Sequence, residues 1–185
     1  MPSTSLRDTL RRDYQAMAEG ETLTTGRIAM RVAVHARWRA VLIWRTAQHL
    51  FRARGGKPLA LWLTDRVLSF SGAELQPKSE IGPGVVLKHT TGLVVGGDVV
   101  AGQRLTLHQN VTLGDRRPFG GQPVVGDDVT IGAGACVLGP ITIGDRAVVA
   151  ANAVVLDDVP ADSVVAGAPA RVIRQRPPVR EARAG

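Results

Sequence analysis

From Ile81 to Val155 an aliphatic residue recurs at every sixth position, first as Ile81, Leu87, Leu93, Val99, Leu105 and Val111 and then, after one interruption, as Val125, Ile131, Val137, Ile143, Val149 and Val155. Neither an α-helix nor a flat strand has that period. It marks a short strand and a turn repeated end to end, each unit pointing one side chain inward, and so predicts stacked β-helix coils. Four positions after the aliphatic residues of the second block stand Val129, Ala135, Ala147, Ala153 and Val159, small enough for a tight corner, with Ile141 as the exception. If the cross-section is triangular, three units make an 18-residue coil. Residues 18 apart then stack at about the 4.8 Å spacing of neighbouring strands, and Leu87 lies over Leu105.

The repeat divides the chain into three regions: a helical region at 1–71, the β-helix at 72–160 and an extension with a basic tail at 161–185. Ser5 is placed to cap a helix through Ala18, ahead of Gly20; a longer helix is expected from Thr25 to Arg54, stopped by Gly55 and Gly56; Pro58 opens a third through Leu68. The step from Val111 to Val125 is fourteen residues, so Arg117 to Val124 is expected to bulge from the prism as a loop. Loops that interrupt a rigid solenoid tend to carry function. The tail holds Arg171, Arg174, Arg176, Arg180 and Arg183.

A formal charge of +7 favours an acidic ligand or surface. Nucleic acid is disfavoured, because aromatic residues for base stacking are few and no recognition motif is present. Cys136 is the sole cysteine and cannot form an internal disulfide, and Met1 to Asp13 is polar and charged, unlike a secretory leader. Both point to the cytoplasm. The stretch from Ile28 to Phe51 carries Arg31, Arg37, Arg39 and Arg45, too much charge to span a bilayer. Those arginines suit either peripheral contact with a membrane surface or, as is commoner, a solvated or subunit-facing stripe. Cys136 alternates with inward Ala135 and Val137, so its thiol faces outward, an ordinary surface or subunit-contact thiol.

His89 follows Leu87 by two positions and His108 follows Leu105 by three, which places both imidazoles at one corner of the prism on adjacent coils. Glu74, fifteen residues before His89, falls near the same corner one coil earlier. A carboxylate, an imidazole and a groove suit general-base catalysis, with Glu74 holding the ring tautomer and His89 taking a proton from an alcohol or amine. The alternative is three polar residues at solvated corners. Spacing alone leaves both open.

The hexads, Gly92-Leu93-Val94-Val95-Gly96, Asn110-Val111-Thr112-Leu113-Gly114 and the ending from Asp158-Val159-Pro160 to Ala166-Gly167-Ala168-Pro169-Ala170-Arg171-Val172-Ile173 resemble the hexapeptide-repeat acyltransferases, and among them the serine O-acetyltransferase branch. The resemblance covers roughly Glu74 to Ile173. It implies a left-handed parallel β-helix behind an α-helical N-terminal region, a homotrimer with active sites between subunits, and acetyl-CoA as acyl donor, with no metal. His89, in Leu87-Lys88-His89-Thr90-Thr91-Gly92, falls on the family's catalytic histidine, and Glu74 where the branch has its partner aspartate. Backbone amides near Gly114 become candidates for holding the oxyanion, positions around Ala133 and Ala151 for lining the pantetheine arm, and Arg171 for meeting the cofactor's phosphates, unless it is a solvated tail arginine. His108 is assigned to acceptor positioning.

Departures from the branch matter as much. The residue before the catalytic histidine is usually an aspartate that helps to hold the substrate's ammonium; here it is Lys88, which repels an ammonium and attracts a carboxylate, a phosphate or a neutral hydroxyl-rich acceptor. The bulge has Gly121-Gln122-Pro123 where the branch has an Arg-His pair before a proline, so Gln122 occupies an acceptor-gripping position. The expectation is therefore a small-molecule or sugar acceptor other than serine, with serine as the runner-up. Two rivals remain: a zinc hydratase, which needs a third histidine on the coil that His35 and His49 do not supply, and a non-catalytic membrane-associated scaffold, which leaves the placement of Glu74 and His89 unexplained.

Overall fold

The computed structural model describes residues 5–175, and the tail arginines beyond Gln175 lie outside the described residues. Four helices come first: α1 (Leu6–Met17), α2 (Thr25–Val34), α3 (Ala36–Arg52) and α4 (Lys57–Ser71). The Ser5 hydroxyl caps α1 by accepting from the amide of Asp8, and Gly72, at φ +68°, ends α4 in the left-handed conformation open to glycine. The single helix expected from Thr25 to Arg54 is two, because His35 takes an extended backbone (φ −102°, ψ 120°). The turn there separates a helix without a buried residue, α2, from α3, which buries Trp38, Val41, Trp44, Arg45 and Gln48.

The prism follows as β1 (Glu74–Leu75), β2 (Glu80–Ile81) and β3 (Val86–Leu87); β4 (Val94–Val95), β5 (Val100–Ala101) and β6 (Thr106–Leu107); β7 (Thr112–Gly114), β8 (Val124–Val125) and β9 (Thr130–Ile131); β10 (Cys136–Leu138), β11 (Thr142–Ile143) and β12 (Val148–Val149); then β13 (Val154–Val155), β14 (Ser163–Gly167) and β15 (Ala170–Gln175). Every third strand pairs in parallel. Sheet A is β1-β4-β7-β10-β13, sheet B is β2-β5-β8-β11, and sheet C is β3-β6-β9-β12-β14, closed by β15 running antiparallel to β14. β14 carries sheet C to Gly167, past Pro160, and β15 folds back along it, so Arg171 sits on a strand.

Each unit buries two residues, one in the strand and one two positions earlier: Leu107 and Leu105, Ile131 and Val129, Val149 and Ala147. Both sets lie in one continuous core. This corrects the register read from the sequence, which passed from the first set to the second between Leu87 and Leu93. In the structure Leu87 stacks on Leu107, not on Leu105, and the first coil has 20 residues. The later coils have 18, as in Val94 to Thr112 or Cys136 to Val154, except where Val100 pairs with Val124, 24 residues on. The loop between β7 and β8 thus carries six surplus residues over 115–123 where eight were expected.

The helices are held to the first coils by a buried ion pair. Arg45, expected among solvated or subunit-facing arginines, is 3% exposed and Asp13 fully buried. All five guanidinium N–H groups are used: Nε and Nη2 donate to the Asp13 carboxylate (2.8 and 3.2 Å), Nη2 also to Gly82 O (2.8 Å), and Nη1 to Ile81 O (2.7 Å) and Gln48 Oε1 (2.9 Å). Asp13 Oδ1 accepts in addition from the amides of Gly84 (2.7 Å) and Val85 (3.0 Å). Breaking such a pair strands a buried charge. Asp13→Ala is expected to lower the unfolding free energy by about 3–5 kcal/mol in urea denaturation; a loss below about 1 kcal/mol, the scale of an exposed pair, would contradict this account of the clamp.

Candidate active site

Three columns of stacked residues run along the corner where sheet C passes to sheet A. Lys88, His108 and Gly132 form one, through the bonds Lys88 N to Leu107 O, His108 N to Ile131 O and Gly132 N to Val149 O. Thr91, Gln109, Ala133 and Ala151 form the second, each of the first three carbonyls accepting from the corner residue of the next coil. The third is Gly92, Asn110, Gly134 and Asn152, all at φ between 57° and 71°. A β-carbon on Gly92 would collide with Asn110 Oδ1, so glycine is required where the first coil turns.

Between Lys88 and Thr91 the columns leave two residues without a counterpart, and these are the surplus of the 20-residue coil: His89 and Thr90. Thr90 is buried and its carbonyl accepts from Leu93 N (3.1 Å), while His89 is exposed. An extra pair of residues at one corner therefore lifts an imidazole out of the stack into solvent. The corner gathers Lys88, His89, His108, Ala133 and Ala151, five of the residues singled out in the sequence. Nearest neighbours act on His108: burial first, then the charges of Lys88 and His89, hold its pKa below the ordinary value for histidine.

The other candidates lie elsewhere. Glu74 is on β1, and its Oε1 accepts from Gln76 Nε2 (2.9 Å); no hydrogen bond joins it to His89 among the described residues. Gly114 ends β7 on the opposite edge of sheet A, where its carbonyl accepts from Gly139 N (2.9 Å). Gln122 stands there too, its amide used to brace the surplus loop: Oε1 accepts from Asp98 N (2.8 Å) and Nε2 donates to Asp115 Oδ2 (3.1 Å). Arg171 is 67% exposed, with Nη1 3.5 Å from Asp157 Oδ2. Sheet A thus separates the His89 corner from the loop of the same chain. Cys136 is unpaired and partly exposed on β10. Among the described residues no group of three His, Cys, Asp or Glu side chains is placed to hold a metal ion, and no helix is long and apolar enough to cross a membrane.

Sequence reasoning missed the helical wall of the site. Lys88 Nζ pairs with Glu19 Oε1 at 2.5 Å, so its charge is compensated from the segment after α1, and Arg37 Nη1 reaches the Lys88 carbonyl (3.5 Å). Behind them is a cavity of about 360 Å³ whose lining includes Glu19, Glu21, Arg31, His35, Arg37 and Trp38. Only the basic run in the second predicted helix hinted at it. Lys88→Met removes one of the charges that disfavour a second positive charge on His108. Its pKa, expected below the ordinary 6.5, should then rise toward that value in an NMR titration of the imidazole protons; an unchanged midpoint would separate the two residues electrostatically.

A model of the family described as bacterial transferase hexapeptide (six repeats) matches residues 122–157. Serine acetyltransferase 2 of Arabidopsis thaliana is 35% identical over 144 residues, which is 74% of this chain and 43% of that protein. The chain spans less than half the length of the curated relatives it matches. Among solved structures, serine acetyltransferase of Brucella abortus strain S19 in complex with coenzyme A is 34% identical with a TM-score of 0.81, covering 91% of this chain and 68% of that one. Serine acetyltransferase of Neisseria gonorrhoeae in complex with serine is 31% identical with a TM-score of 0.82, covering 93% and 70%. The chain, whose prism is a left-handed parallel β-helix, belongs to the hexapeptide-repeat acyltransferase family, on its serine-acetyltransferase-like branch.

Proposed function

We propose that this chain is a CoA-dependent acetyltransferase that moves an acetyl group from acetyl-CoA to a hydroxyl or amine of a small molecule or sugar, with His89 as the general base. The observation that carries this reading is the surplus pair His89-Thr90, which presents an exposed imidazole at a corner otherwise built of stacked columns. The coenzyme A bound to the Brucella abortus relative supports the donor. An acceptor hydroxyl is a poor nucleophile at neutral pH until a base takes its proton. In the proposed step the acceptor oxygen bonds to the thioester carbonyl carbon while its proton passes to His89. The tetrahedral oxyanion is held by backbone amides near Gly114. When it collapses the C–S bond breaks, and the departing CoA sulfur takes the proton back from His89.

The supporting roles follow the same geometry. Glu74, whose Oε2 makes no hydrogen bond among the described residues, orients the His89 ring by exchanging Gln76 for it. His108, kept neutral by its surroundings, positions the acceptor as a hydrogen-bond partner. The small side chains of Ala133 and Ala151 let the pantetheine arm approach the main chain, and Arg171 is offered to its phosphates. Because His89 and the Gly114 loop border sheet A on opposite edges, one chain holds two halves of a site. A threefold ring sets the loop of one copy, braced by Gln122, against the His89 corner of the next.

Serine is the second reading, favoured by the serine bound to the Neisseria gonorrhoeae relative. Against it stands Lys88. An ammonium near a like charge pays on the order of one to a few kcal/mol in a partly desolvated cleft, worth about tenfold or more in specificity; Glu19 offsets part of this.

His89→Ala is expected to cut acetyl transfer about a hundredfold or more while leaving assembly and melting temperature unchanged, since the ring lies outside the core. CoA release at near wild-type rate in that variant would remove His89 from the mechanism. Lys88→Asp should raise the ratio of catalytic efficiencies for L-serine over a neutral sugar; efficient serine acetylation by the unaltered chain would instead make serine the acceptor.

A further inference from the structure

The cavity beside the His89 corner has an unequal charge account. Glu21 is engaged by Arg31 (2.5 Å) and Glu19 by Lys88 (2.5 Å), so the two acids of the lining are each matched by a base. Arg37 is left over. Its Nη1 reaches only the Lys88 carbonyl at 3.5 Å, and it forms no ion pair among the described residues. His35, on the kink between α2 and α3, adds a second nitrogen-bearing side chain to the same wall. Trp38 is not free to stack on a ligand: Tyr14 lies against one of its faces, with ring centroids 5.0 Å apart and 14° between planes, and the Arg31 guanidinium sits 5.0 Å from its centroid. The cavity therefore offers a firm apolar floor and one uncompensated guanidinium, a group whose planar fork matches a carboxylate or phosphate. Its volume of about 360 Å³ is in the range of small-ligand sites.

We infer that this cavity is the acceptor subsite and that it selects an acceptor carrying a carboxylate or phosphate, gripped by Arg37, with the acceptor's hydroxyl extending past Lys88 to His89. The inference rests on the acetyltransferase reading and deepens it by naming the acceptor's charge class. The Glu19–Lys88 pair is the latch of the subsite. Both partners are partly exposed, Lys88 by 33% and Glu19 by 60%, a pair weak enough for an incoming anion to displace the Glu19 carboxylate from Lys88. The anion then meets two cations, Arg37 and Lys88, from opposite sides. Glu19 accordingly opposes anion binding and Arg37 promotes it.

The test uses D-glucose, D-glucuronate and D-glucose 6-phosphate as probes, which share one ring and differ in charge. Binding by titration calorimetry, without acetyl-CoA, is read beside acetyl transfer with it. The unaltered chain is expected to bind at least one of the two anionic sugars tenfold or more tightly than glucose. Arg37→Ala should abolish that preference without changing the weak affinity for glucose, whereas Glu19→Gln should tighten the anion several-fold. The KM for acetyl-CoA should stay unchanged in both variants. Equal binding of the three probes, or an anion preference that survives Arg37→Ala, would overturn the inference. So would a raised KM for acetyl-CoA in Arg37→Ala, which would assign the cavity to the phosphates of the donor. Anion binding through Arg37 without acetyl transfer to any probe would uphold the subsite's charge class and count against the acetyltransferase reading alone.

Discussion

Parallel stacking of coils is the constraint on which everything else in this protein depends. Each strand residue bonds to the same position of the next coil, so a coil cannot absorb an added residue within a strand without turning inward side chains outward. Surplus residues must leave at a corner. Two corners carry them: His89 and Thr90 between β3 and β4, and six residues between β7 and β8. The first lifts an imidazole from the wall and the second projects a loop. Both departures border sheet A, and the proposed site is the space they define when copies meet.

The three ridges of the prism have separate work, and their left-handed corner residues show it. Between sheets B and C the corner positions from the second coil are Arg104, Asp128, Arg146 and Asp162, all near φ +58°. Here paired charges offset the strain of a positive φ on a side chain. Arg104 reaches Asp128 with two bonds (2.5 and 2.6 Å) and Arg146 reaches Asp162 likewise (2.7 and 2.8 Å). Hydrogen bonding to Arg104 holds the Asp128 carboxyl below the usual range, so its stabilising share persists above the ordinary carboxylate pKa and is lost as pH falls through the lowered one. Between sheets C and A the same positions are Gly92, Asn110, Gly134 and Asn152, uncharged and compact. That ridge is left open for ligands. The Asp13–Arg45 clamp ties both features to the helices, because it holds α1 and α3 on the first coils next to the His89 corner and so fixes Glu19, His35 and Arg37 beside it.

The period of six made the solenoid legible, and the loop was legible as a break in that period. What misled was that two inward positions per unit carry similar side chains. Leu93 and Val95 both face the core, so a count of six could pass through either, and the two-residue surplus at His89-Thr90 was hidden by a change of set. Lys88, His89 and His108 were nonetheless placed at one corner, because a corner tolerates that error. The helical wall was not legible. Arg45 and Arg37 lie eight residues apart on one basic helix, yet Arg45 is buried in an ion pair and Arg37 lines a cavity. A pattern of charges along a helix does not say which one a distant aspartate will claim. The kink at His35 was equally silent, since no glycine or proline marks it.

The central claim is that a working site needs the His89 corner of one chain and the surplus loop of another. Subunit complementation tests it directly. A chain without residues 116–121 returns the third coil to 18 residues and keeps His89, whereas His89→Ala keeps the loop. Each should be inactive alone. When the two are dissociated together, reassociated and assayed for CoA release, mixed rings should recover a substantial fraction of wild-type turnover, because some clefts pair an intact corner with an intact loop. Mixed rings that form yet release no more CoA than either parent would contradict the account and place the site within a single chain.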